Sequence, residues 1–143
     1  MSQDILEFHG EHWWLSNFSD SKVNYEGVEY PTVEHAYQAA KTLDVEDREK
    51  IRTSGPPAKA KKLGRKVVIR ADWESIKFDV MESLLRQKFA AGTELAQKLI
   101  GTGDGLLVEG NYWNDFVWGV CNGVGQNHLG RLLMEIRNDL KPV

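Results

Sequence analysis

Few stretches of this chain leave as little conformational choice as Tyr30 to Lys41, YPTVEHAYQAAK. Pro31 has no amide for a strand ladder, and Thr32 can cap a helix by offering its hydroxyl to a first-turn amide. From Val33 onward the spacing is helical, with Val33, Ala36, Tyr37 and Ala40 in one apolar stripe. Glu34, Gln38 and Lys41 form a second stripe beside it, within roughly 60° of arc at about 100° per residue. His35, Ala39 and Thr42 then take the outward face. A carboxylate, an amide and an ammonium at the edge of a buried face can line a cleft. On spacing alone, solvated residues flanking a core stripe are the plainer description of Glu34 and Lys41.

The chain around this helix reads as alternating short elements. Residues 4–8 alternate like a strand, and Glu11 to Phe18 mixes aromatic and polar residues as a strand end and loop. Lys22 to Tyr30 alternates around Glu26-Gly27, a hairpin signal. Asp44 caps a charged helix to Arg52, Ser54-Gly-Pro-Pro57 breaks it, and a short helix from Ala58 to Leu63 ends at Gly64 in a C-cap position. Its lysines, Lys59, Lys61 and Lys62, read as a solvated basic face. Gly64 to Trp73 is extended and basic, with Asp72 a natural cap for the helix from Trp73 to Ala91. That helix turns Ile76, Val80, Met81, Leu84, Leu85 and Phe89 inward and pairs Glu82 with Arg86 outside. Lys88 is its misfit, either snorkelling or reaching into a cleft.

Thr93 caps a helix from Glu94 to Ile100, and Gly101 to Gly105 is a turn cluster without the spacing of a phosphate loop. Leu106 to Glu109 reads as a buried strand. Glu109 to Gly119 (EGNYWNDFVWG) fits neither a strand nor a helix template. A last helix runs from about Gln126 to Leu140 with Leu129, Leu132, Leu133, Ile136 and Leu140 inward. Its start, Gly123 to Asn127, can present free amides to an anion.

Composition narrows the function classes. The chain has 143 residues, 41% hydrophobic and 27% charged, which suits one soluble globular domain spanning 1–143. A net charge of −3 argues against broad nucleic-acid binding but leaves room for a local basic pocket. The single cysteine, Cys121, excludes a disulfide framework and a cysteine-based metal site. His9, His12, His35 and His128 lack ligand spacing, so no metal site is expected. No apolar run approaches the ~20 residues of a membrane span. The N-terminal residues lack a basic region followed by an apolar core, so a cytoplasmic location is the expectation.

Five tryptophans, Trp13, Trp14, Trp73, Trp113 and Trp118, are many for this length, and several sit beside Asn, Asp or Gly. That context favours pocket walls over plain core. Three carboxylates keep unusual company: Glu34 beside the helical stripe, with Glu109 and Asp115 in the aromatic loop as its expected opposite wall. Paired carboxylates serve glycosidic hydrolysis, one at the oxocarbenium-like centre or its water, one for the leaving group's proton. Tryptophan faces can stack on a base, and Lys41, Arg65, Arg70 and Lys88 can hold phosphate. Together these point to a base–ribose–phosphate compound. The competing structural description has Asp115 capping a turn and Glu109 in an ion pair. Lys41 can also form a Schiff base with an opened sugar if an apolar wall strips its proton.

The linked motifs resemble those of the YbiA-like, or NADAR, domain family. They are LSNF at Leu15–Phe18, the Tyr30–Lys41 stretch, Gly64-Arg65, RADW at Arg70–Trp73, Met81 and Lys88-Phe89. LLVEGN at Leu106–Asn111, DFVWG at Asp115–Gly119 and GQNHLGRLLMEIR at Gly125–Arg137 complete the series, in order over almost the whole chain. The resemblance implies a predominantly helical α+β domain with a small β-sheet. It also implies N-glycosidase activity on phosphoribosylamino-pyrimidine intermediates of riboflavin synthesis, giving ribose 5-phosphate and the aminopyrimidine. The alternatives it carries are an ADP-ribosyl hydrolase acting on modified guanine in nucleic acid, and a non-catalytic module binding ADP-ribose or NAD. Carried onto this sequence, Glu34 is the leading catalytic carboxylate, followed by Asp115 and then Glu109. Trp73 and Trp118 are stacking faces, and Asn17, Arg65, Lys88 and Asn111 contact ribose and phosphate, with Gln38 and Lys41 lining the site. No cofactor and no membrane partner is implied; nucleic acid enters only as ADP-ribosylated guanine.

Overall fold

Thr32 starts the central helix as its hydroxyl predicts: Oγ1 accepts the His35 amide at 3.1 Å. The computed structural model describes residues 4–142, so Met1 to Gln3, the start of the segment read for a leader, lie outside the described residues. Asn17–Lys88 form one compact unit, and the described residues on either side of that span form a second. The fold is α+β and predominantly helical. Among the described residues no helix is long and apolar enough to cross a membrane.

In the Asn17–Lys88 unit, β1 (Val23–Tyr25) and β2 (Val28–Tyr30) form an antiparallel hairpin with Tyr25 opposite Val28. Glu26 and Gly27 make its turn with φ of 48° and 83°, the left-handed pair that a two-residue hairpin demands. The chain then enters α1 (Val33–Ala40), followed by α2 (Val45–Arg52), α3 (Pro57–Gly64) and α4 (Trp73–Lys88). Asp44 caps α2 by accepting the Asp47 amide at 3.0 Å. Helix α1 packs on α2, α3, α4 and β1.

That packing corrects the expected outward face of α1. Every residue of the helix is buried, and His35, Ala39 and Thr42 are 1%, 0% and 2% exposed. Ala36, Ala39 and Ala40 keep the cylinder thin, so neighbours close on it from all sides. His35 has a structural place there: its ring bonds Thr32 Oγ1 at 2.7 Å and the Gly55 carbonyl at 2.9 Å, and burial lowers its pKa. The segment after α3 is turns and irregular backbone, not an extended run, and α4 ends at Lys88, not Ala91. Both Asp72 oxygens accept from Arg70.

In the other unit, Gly10–Leu15 form a short 3-10 helix where a strand end and loop were expected. Thr93 caps α5 (Glu94–Ile100) as read, and α5 packs on α6 (His128–Leu140). The two expected strands at residues 4–8 and 106–109 reduce to one bridge, Ile5 beside Leu107. Leu107 is fully buried, but Leu106 is 46% exposed, so no continuous strand is covered. A second small sheet pairs β3 (Gly110–Asn111) with β4 (Val120–Cys121) in parallel, which no local signal announced.

Candidate active site

Glu34 is the second residue of α1, its amide held by the Asn17 carbonyl at 3.2 Å. A carboxylate in the first turn of a helix is favoured by the unpaired amides there. Although it is 7% exposed, Glu34 has a matched partner: Gln38 Nε2 donates to its Oε1 at 2.9 Å. That i,i+4 pair is the stripe read from the sequence, with Lys41 a further turn on. Gln38 Oε1 and Asn17 Oδ1 are buried with no hydrogen-bond partner among the described residues.

Lys41 is half-buried, and its Nζ lies 5.7 Å from the centre of the Tyr37 ring. Burial lowers its pKa first of all, Glu34 acts against that, and the positive charges of Arg65, Lys61 and Lys77 add to the lowering. Glu34, Lys41 and these three cations therefore share one electrostatic neighbourhood. Arg65 itself is exposed, just beyond the end of α3. Trp73 is 5% exposed, its ring tilted on Tyr37 at 5.1 Å between centres. Asn17 also donates to Met81 Sδ at 3.5 Å. Lys88 is buried at 3% exposure, with Nζ donating to Ser19 Oγ at 2.7 Å, and burial pushes its pKa down to about 7.

The second group of candidates builds a loop. Asn111 Nδ2 donates to Glu109 Oε2 at 3.1 Å and to the Asp115 carbonyl at 3.0 Å, while its Oδ1 accepts the Asp115 amide at 3.1 Å. Asp115 Oδ1 accepts the amides of Val117 and Trp118 at 3.2 and 2.9 Å, the turn-capping arrangement. Trp118 is half-buried and edge-on to His128 at 6.2 Å. Four amides at the start of α6 are already committed, because those of Gln126, Asn127, His128 and Leu129 go to the carbonyls of Phe116, Gly119, Val117 and Trp118.

Two further residues escaped the sequence reading. Asn127, with a left-handed φ of 53°, clamps the start of this loop: Oδ1 accepts the Glu109 amide at 3.0 Å and Nδ2 donates to the Leu107 carbonyl at 2.9 Å. The "QN" before the last helix was the only signal for it. Gly64, read as a C-cap, is the last residue of α3 without a left-handed backbone, and it abuts the Gln38 amide.

The NADAR domain model matches residues 7–141. This chain belongs to the NADAR domain family. Within it, the chain is 40% identical to N-glycosidase YbiA of Shigella flexneri, the match covering 98% of this chain and 91% of that protein. It is 35% identical to an N-glycosidase of Nostoc punctiforme, over 89% of this chain and 85% of that one. A riboflavin biosynthesis protein of Vibrio vulnificus matches 99% of the chain at 38% identity, within 40% of its own length. The NMR structure of the Escherichia coli protein YbiA superposes with a TM-score of 0.84 at 39% identity, covering 98% of this chain and 86% of that one. The expected N-glycosyl hydrolase class agrees with the names these NADAR relatives carry.

Proposed function

We propose that this NADAR protein is an N-glycosidase that cleaves the C1′–N bond of phosphoribosylamino-pyrimidine intermediates of riboflavin synthesis. The observation that carries this is the buried Glu34 carboxylate, held by Gln38, in the same neighbourhood as a lysine of lowered pKa. The names of the N-glycosidase and riboflavin biosynthesis relatives support the substrate class. As the C1′–N bond breaks, the aminopyrimidine nitrogen takes a proton from solvent and C1′ gains positive character. Glu34 stabilises that centre and accepts a proton from the attacking water, leaving ribose 5-phosphate. Arg65 and Lys41 supply positive charge for the phosphate, with Trp73 as a stacking face and Asn17 and Lys88 as polar contacts.

Asp115, ahead of Glu109, is a further carboxylate to test by substitution. In Asp115→Asn one oxygen remains for the Val117 and Trp118 amides, so loss of turnover with an intact fold reports the charge. Purified protein incubated with the phosphoribosylamino-pyrimidine should release ribose 5-phosphate. Release instead of ADP-ribose from ADP-ribosylated guanine would move the substrate to the nucleic-acid alternative, where a single flipped base needs only a small basic patch.

One observation favours a covalent variant of the same reaction. Burial lowers the pKa of Lys41, which raises its fraction of neutral amine. That amine can displace the aminopyrimidine from the opened sugar as an imine at C1′. Water then cleaves the imine, releasing ribose 5-phosphate and restoring the amine.

A further inference from the structure

A buried side-chain amide normally satisfies both its ends. Gln38, 4% exposed, does not: Nε2 donates to Glu34 Oε1 at 2.9 Å, while Oε1 has no partner among the described residues. Leaving an acceptor unpaired in the interior costs stability, so some other requirement fixes this orientation. Turned over, the amide would set its carbonyl oxygen against a carboxylate oxygen and lose its one hydrogen bond among the described residues. What seats the amide is a notch in α3. A Cβ on Gly64 would overlap Gln38 Oε1 and lie 2.7 Å from its Cδ and 3.0 Å from its Cβ. Gly64 has no left-handed backbone to explain the glycine. Only the absence of a side chain there leaves room for Gln38.

We infer that Gly64 and Gln38 are positioning residues for Glu34: the bare backbone of Gly64 forms the slot that holds the Gln38 amide with its N–H turned to the carboxylate. The amide fixes one carboxylate oxygen and favours the charged form, because a donor to a carboxylate opposes its protonation. The inference rests on Glu34 as the reacting carboxylate, yet it has a readout of its own.

That readout is the titration of the Glu34 carboxyl, followed by NMR in protein labelled at glutamate side-chain carbons and assigned by its loss in Glu34→Gln. Gln38→Met keeps the length of the side chain, removes the donor and leaves Gly64 untouched. It should move the Glu34 titration to higher pH by about half a unit or more. Gly64→Ala should move it the same way, and should add nothing in the Gln38→Met background. The acidic limb of the kcat profile should follow. An unmoved titration in Gln38→Met overturns the inference even if Gly64→Ala does not fold. So does a Gly64→Ala effect that persists in full without Gln38. A wild-type protein inactive on every N-glycoside would instead overturn the functional reading, with the titration result still standing.

Discussion

Lys88 Nζ donates a 2.7 Å hydrogen bond to Ser19 Oγ from a side chain that is only 3% exposed. Burial holds its pKa at about 7 against an ordinary 10.5. Between those values the unfolded chain binds a proton that the folded chain does not, so stability rises with pH across the window. Below pH 7 both states are protonated and the full cost of burying the charge is present. Lys88→Met is therefore expected to stabilise the protein near neutral pH by a few kcal/mol, at about 1.4 kcal/mol per pKa unit. Urea unfolding should show that advantage shrinking as pH approaches 10. An advantage independent of pH would contradict the assignment.

His35 stands next to Glu34 in sequence but holds structure, through Thr32 Oγ1 and the Gly55 carbonyl. His35→Gln should lose about 1–3 kcal/mol of stability and keep kcat within a few-fold. Its pKa is lowered by burial, so wild-type stability should fall as the pH drops below 6.5, and His35→Gln should flatten that fall. A loss of kcat larger than the loss of folded protein would return the histidine to the reaction.

Asn127 ties the Glu109 amide to the Leu107 carbonyl from a left-handed backbone. Asn127→Ala removes two hydrogen bonds and the side-chain amide that lets Asn tolerate a left-handed backbone, an expected cost of about 3 kcal/mol. Asn127→Gly relieves the backbone and should recover about 1 kcal/mol of that. Thermal or urea unfolding of the pair checks the difference.

Much of this was legible where a signal is local. Thr32, Asp44 and Thr93 cap their helices, and Glu26-Gly27 turns its hairpin, because each needs only residues within one turn. What stayed hidden depends on distant neighbours. The α1 stripe correctly joined Glu34 to Gln38, but spacing could not show that the face of His35 and Thr42 is covered as well. Nor could it show that the carbonyls of 116–119 consume the amides before α6, or that Gly64 is a notch for Gln38. Arg137 on α6 is another such case, buried with its guanidinium on Thr102 Oγ1 at 2.9 Å.

The covalent variant of the reaction depends on the lowered pKa of Lys41. Lys41→Arg keeps the positive charge but never supplies a neutral amine. Its kcat should fall by about a hundredfold, and borohydride added during wild-type turnover should leave a reduced sugar phosphate on Lys41. Near-normal turnover in Lys41→Arg, with no adduct by mass spectrometry, would leave Lys41 as a phosphate contact alone.

In the proposed reaction Glu34 carries the cleavage of the N-glycosyl bond. Glu34→Gln keeps the size of the side chain and removes the charge. Release of ribose 5-phosphate from the phosphoribosylamino-pyrimidine should fall by about a hundredfold or more, with folding unchanged and wild-type release robust. Full activity in Glu34→Gln would remove Glu34 from the reaction.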